Sequence, residues 1–132
     1  MRLIKHSFLA LVSCAALAAP AVANPANVAR VTEGLIAAGM AIELAERCDD
    51  VRVRMVRGLN FLQGLKNHLS SLGYSNAEIE AFIDDDVEKD RLEGIARQRL
   101  VDLGATPGNA ASHCSVARAQ IAQGTQVGQL LR

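Results

Sequence analysis

Two cysteines, Cys48 and Cys114, lie far apart in a chain whose first residues read as an export signal. An even pair of thiols carried into an oxidising compartment is most simply one disulfide. Such a bridge closes a loop of about 67 residues and removes roughly 4 kcal/mol worth of unfolded-chain entropy. For a single small domain that rivals the whole net stability. Any fold must therefore bring position 48 against position 114. There is no Cys-x-x-Cys spacing to lower a thiol pKa for redox work, and no Cys-x-x-Cys-His for covalent haem.

The export reading rests on the first 23 residues. Arg2 and Lys5 give a positive start, Phe8 to Ala19 an apolar run, and Ala21-Val22-Ala23 a small-x-small peptidase site. The run is shorter than the roughly 20 residues that span a bilayer. Leu35 to Ala45 is also short and contains Glu43, so no permanent membrane span is expected. A second signal competes. Leu11-Val12-Ser13-Cys14 fits a lipobox, which would make Cys14 a lipid anchor. Its apolar segment would be very brief and its tether, Ala15 to Ala23, unusually apolar. Cleavage after Ala23 instead leaves Asn24-Pro25-Ala26-Asn27 as an unstructured start. The expectation is a signal peptide over 1–23 and one helical domain over 24–132, located in the periplasm.

Removing Arg2 and Lys5 leaves 12 basic against 14 acidic residues, a formal charge of −2. Nucleic-acid binding asks for a strongly basic face, so it is not expected. Phe61, Tyr74 and Phe82 are the only aromatics after the signal, too few for stacking platforms.

Helical spacing of apolar residues occurs four times, while no alternation is long enough for a strand. The spacing predicts an all-α fold, a small bundle of about four helices with one disulfide. The first helix, Val28 to Arg47, carries Val31, Leu35, Ala38, Ile42 and Ala45 on one face and Ile36, Met40 and Leu44 on the other. It is either surrounded by helices or offers its second face to a partner. The second, Val51 to Leu72, has a stripe of Met55, Leu59, Leu62, Leu65, Leu69 and Leu72, capped by Gly73. Ser75-Asn76-Ala77-Glu78 reads as a capping box, making helices two and three an antiparallel hairpin. The third pattern, Asn76 to Leu103, changes face between Val87 and Leu92, so it kinks there or packs on two neighbours. Gly104 ends it. Thr106-Pro107 reads as cap and first residue of a fourth helix, with Ala110, Cys114, Ala117 and Ile121 on one face. The tail, Gly124 to Arg132, has no assigned structure.

Charge is sorted between the hairpin arms. Arg52, Arg54, Arg57 and Lys66 stand on an arm without acids, while Glu78 to Asp90 holds seven acids and only Lys89. Folding about Gly73-Tyr74 would set Arg57 near Asp90 and Lys66 near Asp84, with Asp49 and Asp50 also close to the arginines. Arg52, Arg54 and Arg57 are candidates for contact with a partner or an anion. Asp84, Asp86, Glu88 and Asp90 are candidates for a divalent ion, although no calcium-loop register fits: counting from Asp84 puts Lys89 where glycine belongs. A solvated helix face explains them as well. His68, His113 and Cys114 do not have recognisable zinc spacing. No nucleophile elbow, phosphate loop, dinucleotide glycine pattern or His-Glu-x-x-His is present, so nothing argues for an enzyme. No cofactor is implied.

Arg57-Gly58-Leu59-Asn60-Phe61-Leu62-Gln63-Gly64-Leu65-Lys66, Leu72-Gly73-Tyr74-Ser75, and Ile83-Asp84 with Asp86, Glu88 and Lys89 resemble a small alphaproteobacterial family, domain of unknown function 5333. The signal, both cysteines and the ending Gly124 to Arg132 are similar too. The resemblance brings no catalytic residue. It implies at most an accessory role beside the respiratory NADH dehydrogenase, on the periplasmic side. The expected function is binding or accessory action through a protein partner. The alternative is a divalent-ion or small-ligand binder using the acidic arm around 84–90.

Overall fold

The computed structural model describes residues 23–132. Residues 1–22, which include Cys14 and nearly all of the expected signal peptide, lie outside them. A 3-10 turn, Pro25–Asn27, leads into six helices: α1 (Ala29–Arg47), α2 (Met55–Ser71), α3 (Asn76–Ile83), α4 (Asp86–Asp102), α5 (Ala110–Gln123) and α6 (Gln126–Gln129). The fold is all-helical, and Cys48 is bridged to Cys114 with their Cα atoms 5.1 Å apart.

Helix α1 is the hub: α2, α4, α5, α6 and the 3-10 turn all pack on it. This is why its sequence is apolar all round. The principal buried stripe is the one formed by Ile36, Met40 and Leu44, joined by Val31, Ala37 and Ala41, while Leu35, Ala38 and Ala45 are half-buried and Ile42 is exposed. Around it close Leu92, Ala96 and Leu100 of α4, Val116 and Ala117 of α5, and Val127, Leu130 and Leu131 of the tail. Each large aliphatic side chain removed from water contributes about 1.5–3 kcal/mol. A smaller cluster of Val31, Leu69, Tyr74 and Ile79 ties the turn and the α2–α3 hairpin to the start of α1. Gly34 lets α2 cross closely, since a Cβ there would meet both Leu65 methyls at 2.8 Å.

The start of the domain is ordered, contrary to the unstructured start expected for Asn24 to Asn27. Asn24 caps the turn by accepting from the Ala26 N–H at 2.9 Å, and the Thr32 hydroxyl donates to the Ala26 carbonyl at 3.0 Å. The Tyr74 hydroxyl donates to the Ala23 carbonyl, an acceptor that cleavage after Ala23 would remove.

Three element boundaries differ from the sequence reading. Helix α2 starts at Met55 rather than Val51 because the preceding residues are extended and paired with the tail. Arg52 and Arg132 exchange N–H···O bonds of 2.8 and 2.9 Å, and the Arg54 N–H donates to the Leu130 carbonyl at 2.8 Å. Val51-Arg52-Val53-Arg54 alternates apolar and polar residues, which suits this role. The third pattern breaks at Asp84–Asp85, earlier than the Val87–Leu92 kink. Asp84 closes α3, and the Asp85 carboxylate caps α4 by accepting from the Glu88 N–H at 3.0 Å. Aspartate competes for backbone N–H groups and favours caps over helix interiors. Helix α5 starts at Ala110, capped by Asn109, whose side chain accepts from the Ser112 N–H. Thr106 and Pro107 belong to the preceding turn, closed by the Asn109 N–H on the Thr106 carbonyl. The expected caps at Gly73, Ser75 with Glu78, and Gly104 are all present, with φ of +96° and +108° at the two glycines.

Candidate functional site

Helix α2 forms a ridge on this body. Of its residues only Leu65 and Leu69 are buried, so most of the predicted stripe stays outside the core. Met55, Val56 and Leu59 are 65%, 73% and 60% exposed. The leading half of α2 rises from the extended segment and packs against the core through Phe61. The stripe fails as core because the partner arm is too short. Helix α3 ends after Ile83, and α4 turns away to pack on α1.

The two sides of the ridge differ in chemistry. On one side a groove of about 600 Å³ runs between α1, α2 and α6. Its apolar wall is Ala37, Met40, Phe61, Leu65 and Val127, and its rim carries Arg30, Asn60 and Gln126. Past Asn60 it continues into a recess of about 460 Å³ bordered by Arg54, Arg57 and Arg132. The single carboxylate in this groove, Glu33, is held by two Arg99 nitrogens at 2.6 and 2.9 Å. Those hydrogen bonds keep its carboxyl below the usual range. Arg30, Arg54, Arg57 and Arg132 form no ion pair with a described carboxylate; Arg57 reaches the Gln129 carbonyl at 3.5 Å. The groove is thus apolar at its base and positive along its edge.

The other side of α2 is apolar and acidic. Leu35, Ala38, Leu62, Phe82 and Leu92 line a second groove of about 240 Å³, with Ile42, Ile83, Glu88, Glu93 and one cation, Lys89, at its margin. Beside it stand exposed Asp84, Asp86 and Val87, the last 81% exposed. Arg91 donates to Glu88 at 2.6 and 2.8 Å and so depresses the Glu88 pKa.

The pairing expected across the hairpin is therefore redrawn. Lys66 meets Glu80 at 2.7 Å, not Asp84, because α3 stops a turn later. Arg57 stays with the tail rather than Asp90, and Asp50 is taken by Arg118 at 2.9 Å. Asp84, Asp86, Glu88 and Asp90 are strung along the α3–α4 junction. Among the described residues no group of three or more His, Cys, Asp or Glu converges to hold a metal ion. His113 is buried, its Nδ1 2.8 Å from the Asn109 carbonyl, beside a cysteine engaged in the disulfide. No helix of the described residues is long and apolar enough to cross a membrane.

Sequence reasoning missed Arg30, Asn60, Gln126 and Arg132 as groove residues. The one available signal was composition: Val127, Leu130 and Leu131 are large apolar residues in a tail otherwise rich in Gly and Gln. The titratable side chains of the assembled groove are Arg30, Glu33 and Arg99.

The family model described as a family of unknown function (DUF5333) matches residues 24–132. The chain belongs to this family. No curated protein and no solved structure matches it. In this DUF5333 protein the matched region begins at Asn24, the residue that caps the N-terminal turn.

Proposed function

We propose that this DUF5333 chain is an exported, periplasmic accessory protein that holds an acidic, partly apolar segment of a partner protein against helix α2. The observation carrying this reading is the unpaired arginine edge, Arg30, Arg54, Arg57 and Arg132, along an apolar groove beside exposed Met55, Val56 and Leu59. Contiguous exposed apolar surface rimmed by polar groups marks interaction sites, and arginine clusters suit acidic motifs. Export with cleavage after Ala23 is supported by the disulfide, which belongs in oxidising compartments. It is also supported by the family region starting at residue 24. The expected link to a respiratory complex names the assembly in which to seek the partner first.

The test is binding of labelled helical peptides to the mature protein. A Glu- and Leu-rich peptide should bind, weaken with salt, and be lost in Arg57→Glu. A Lys- and Leu-rich peptide of equal length should not bind. Equal binding of both, or of neither at millimolar concentration, refutes the reading.

A further inference from the structure

We infer that the segment best suited to the basic side of α2 is this chain's own α3–α4 junction, supplied by a second copy in a two-fold dimer. This rests on the reading of that side as a surface for acidic segments, and it names the partner.

Arg54, Arg57 and Arg132 border a recess on one side of α2 and pair with no described carboxylate. Asp84, Asp86 and Asp90, on the acidic side, likewise pair with no described cation. Across the hairpin only Lys66 and Glu80 pair, at 2.7 Å, and the break at Asp84–Asp85 leaves the remaining charges of the two arms without each other. Apolar exposure follows the same division: Met55, Val56 and Leu59 on the ridge, Ile83 and Val87 at the junction. Leu62 and Ile83 border one groove, so ridge and junction belong to one continuous face.

A face that is basic on one side of a ridge and acidic on the other is complementary to itself under one operation. A two-fold axis parallel to α2 lays each copy's basic side over the other's acidic side. The exposed apolar residues of both ridges then meet between them. The contact is isologous, so each charge pairing occurs twice and the assembly closes at two copies without growing into fibres. Charge patterns of this kind fix register and exclude the like-on-like arrangement. The opposite orientation would set arginine against arginine.

Sedimentation velocity on the full mature chain, from micromolar to millimolar concentration, tests this. Two variants reverse one side each: Arg54→Glu with Arg57→Glu, and Asp84→Lys with Asp86→Lys. All four residues are exposed, and Asp85, the cap of α4, is untouched. Far-UV circular dichroism verifies that both variants keep the helical fold. Wild type should dimerise and weaken with salt. Each variant alone should dimerise at least about tenfold more weakly, a change worth roughly 1.4 kcal/mol. An equimolar mixture of the two variants should recover dimer, because acid then again faces base at both contacts. A monomer at every concentration, or a mixture no tighter than its parts, overturns the inference. If the acidic peptide still binds that monomer, the proposed function stands and only the choice of partner falls.

Discussion

Replacing Gly128 by alanine asks how the tail is held. A Cβ at this position would lie 1.9 Å from the Gln120 carbonyl oxygen and 2.3 Å from its carbon, both backbone atoms of α5. Real Cβ contacts stay beyond 3.0 Å, so α6 must retreat by about 1 Å. The retreat loosens Val127, Leu130 and Leu131, each buried at 6% exposure or less. Together these three contribute about 6 kcal/mol, taking roughly 2 kcal/mol per side chain. A gap of 0.5–1 Å forfeits about a quarter to a half of the contact attraction, so the loss is about 1.5–3 kcal/mol. Better helix propensity returns up to ~1 kcal/mol. The net expectation is a destabilisation of about 0.5–2 kcal/mol, or a Tm lower by roughly 2–10 °C for a domain this size. Thermal and urea unfolding with the disulfide intact measure it. Amide exchange at Arg52, Arg54 and Arg132 should accelerate together, because their pairing depends on the docked tail. Gly94→Ala, with open space around the new methyl, should instead stabilise by about 0.5–1 kcal/mol. A Gly128→Ala protein as stable as wild type, or with those amides unchanged, refutes the reasoning.

Cys48→Ala with Cys114→Ala should lower the unfolding free energy by about 4 kcal/mol, read by urea titration. Ser75→Ala removes the acceptor for the Glu78 N–H and should cost about 1 kcal/mol in the same assay. Glu33→Gln tests the Arg99 pair. Arg99 lowers the folded-state pKa of Glu33 below its unfolded value near 4.5, so the pair's contribution is complete above that pH and is lost as pH falls through the folded pKa. Both side chains are largely exposed, so the difference from wild type should be only about a few tenths of a kcal/mol at neutral pH and should vanish once the pH has fallen through the lowered folded-state pKa. Leu59→Ser should change stability by less than about 0.5 kcal/mol while improving solubility at high concentration.

Local signals in this chain were legible wherever one residue type does one job. Gly73, Gly104 and the Ser75–Glu78 box end and start helices as their chemistry dictates, and the two cysteines meet. The helical class followed from spacing alone. Long-range decisions were not legible. Nothing in Val51 to Arg54 announces that the last three residues will claim its backbone. The leucine stripe of α2 looks like core until the length of its partner arm is known. The aspartate run reads as a charged face, yet one member of it is a cap that splits a helix. The arginines were visible as a cluster, but the groove beside them is made by α6, whose spacing is too short to read by periodicity.

The hub position of α1 orders the events of folding. Among the described helices this doubly apolar one is made first, while most of its cover comes later, from α4, α5, and Leu130 and Leu131. Cys48 likewise has no partner until position 114 has been added. Apart from what α2 covers, the apolar surface of α1 must therefore wait for segments made much later. Such a chain needs a holding factor or rapid completion more than it needs a fast local nucleus.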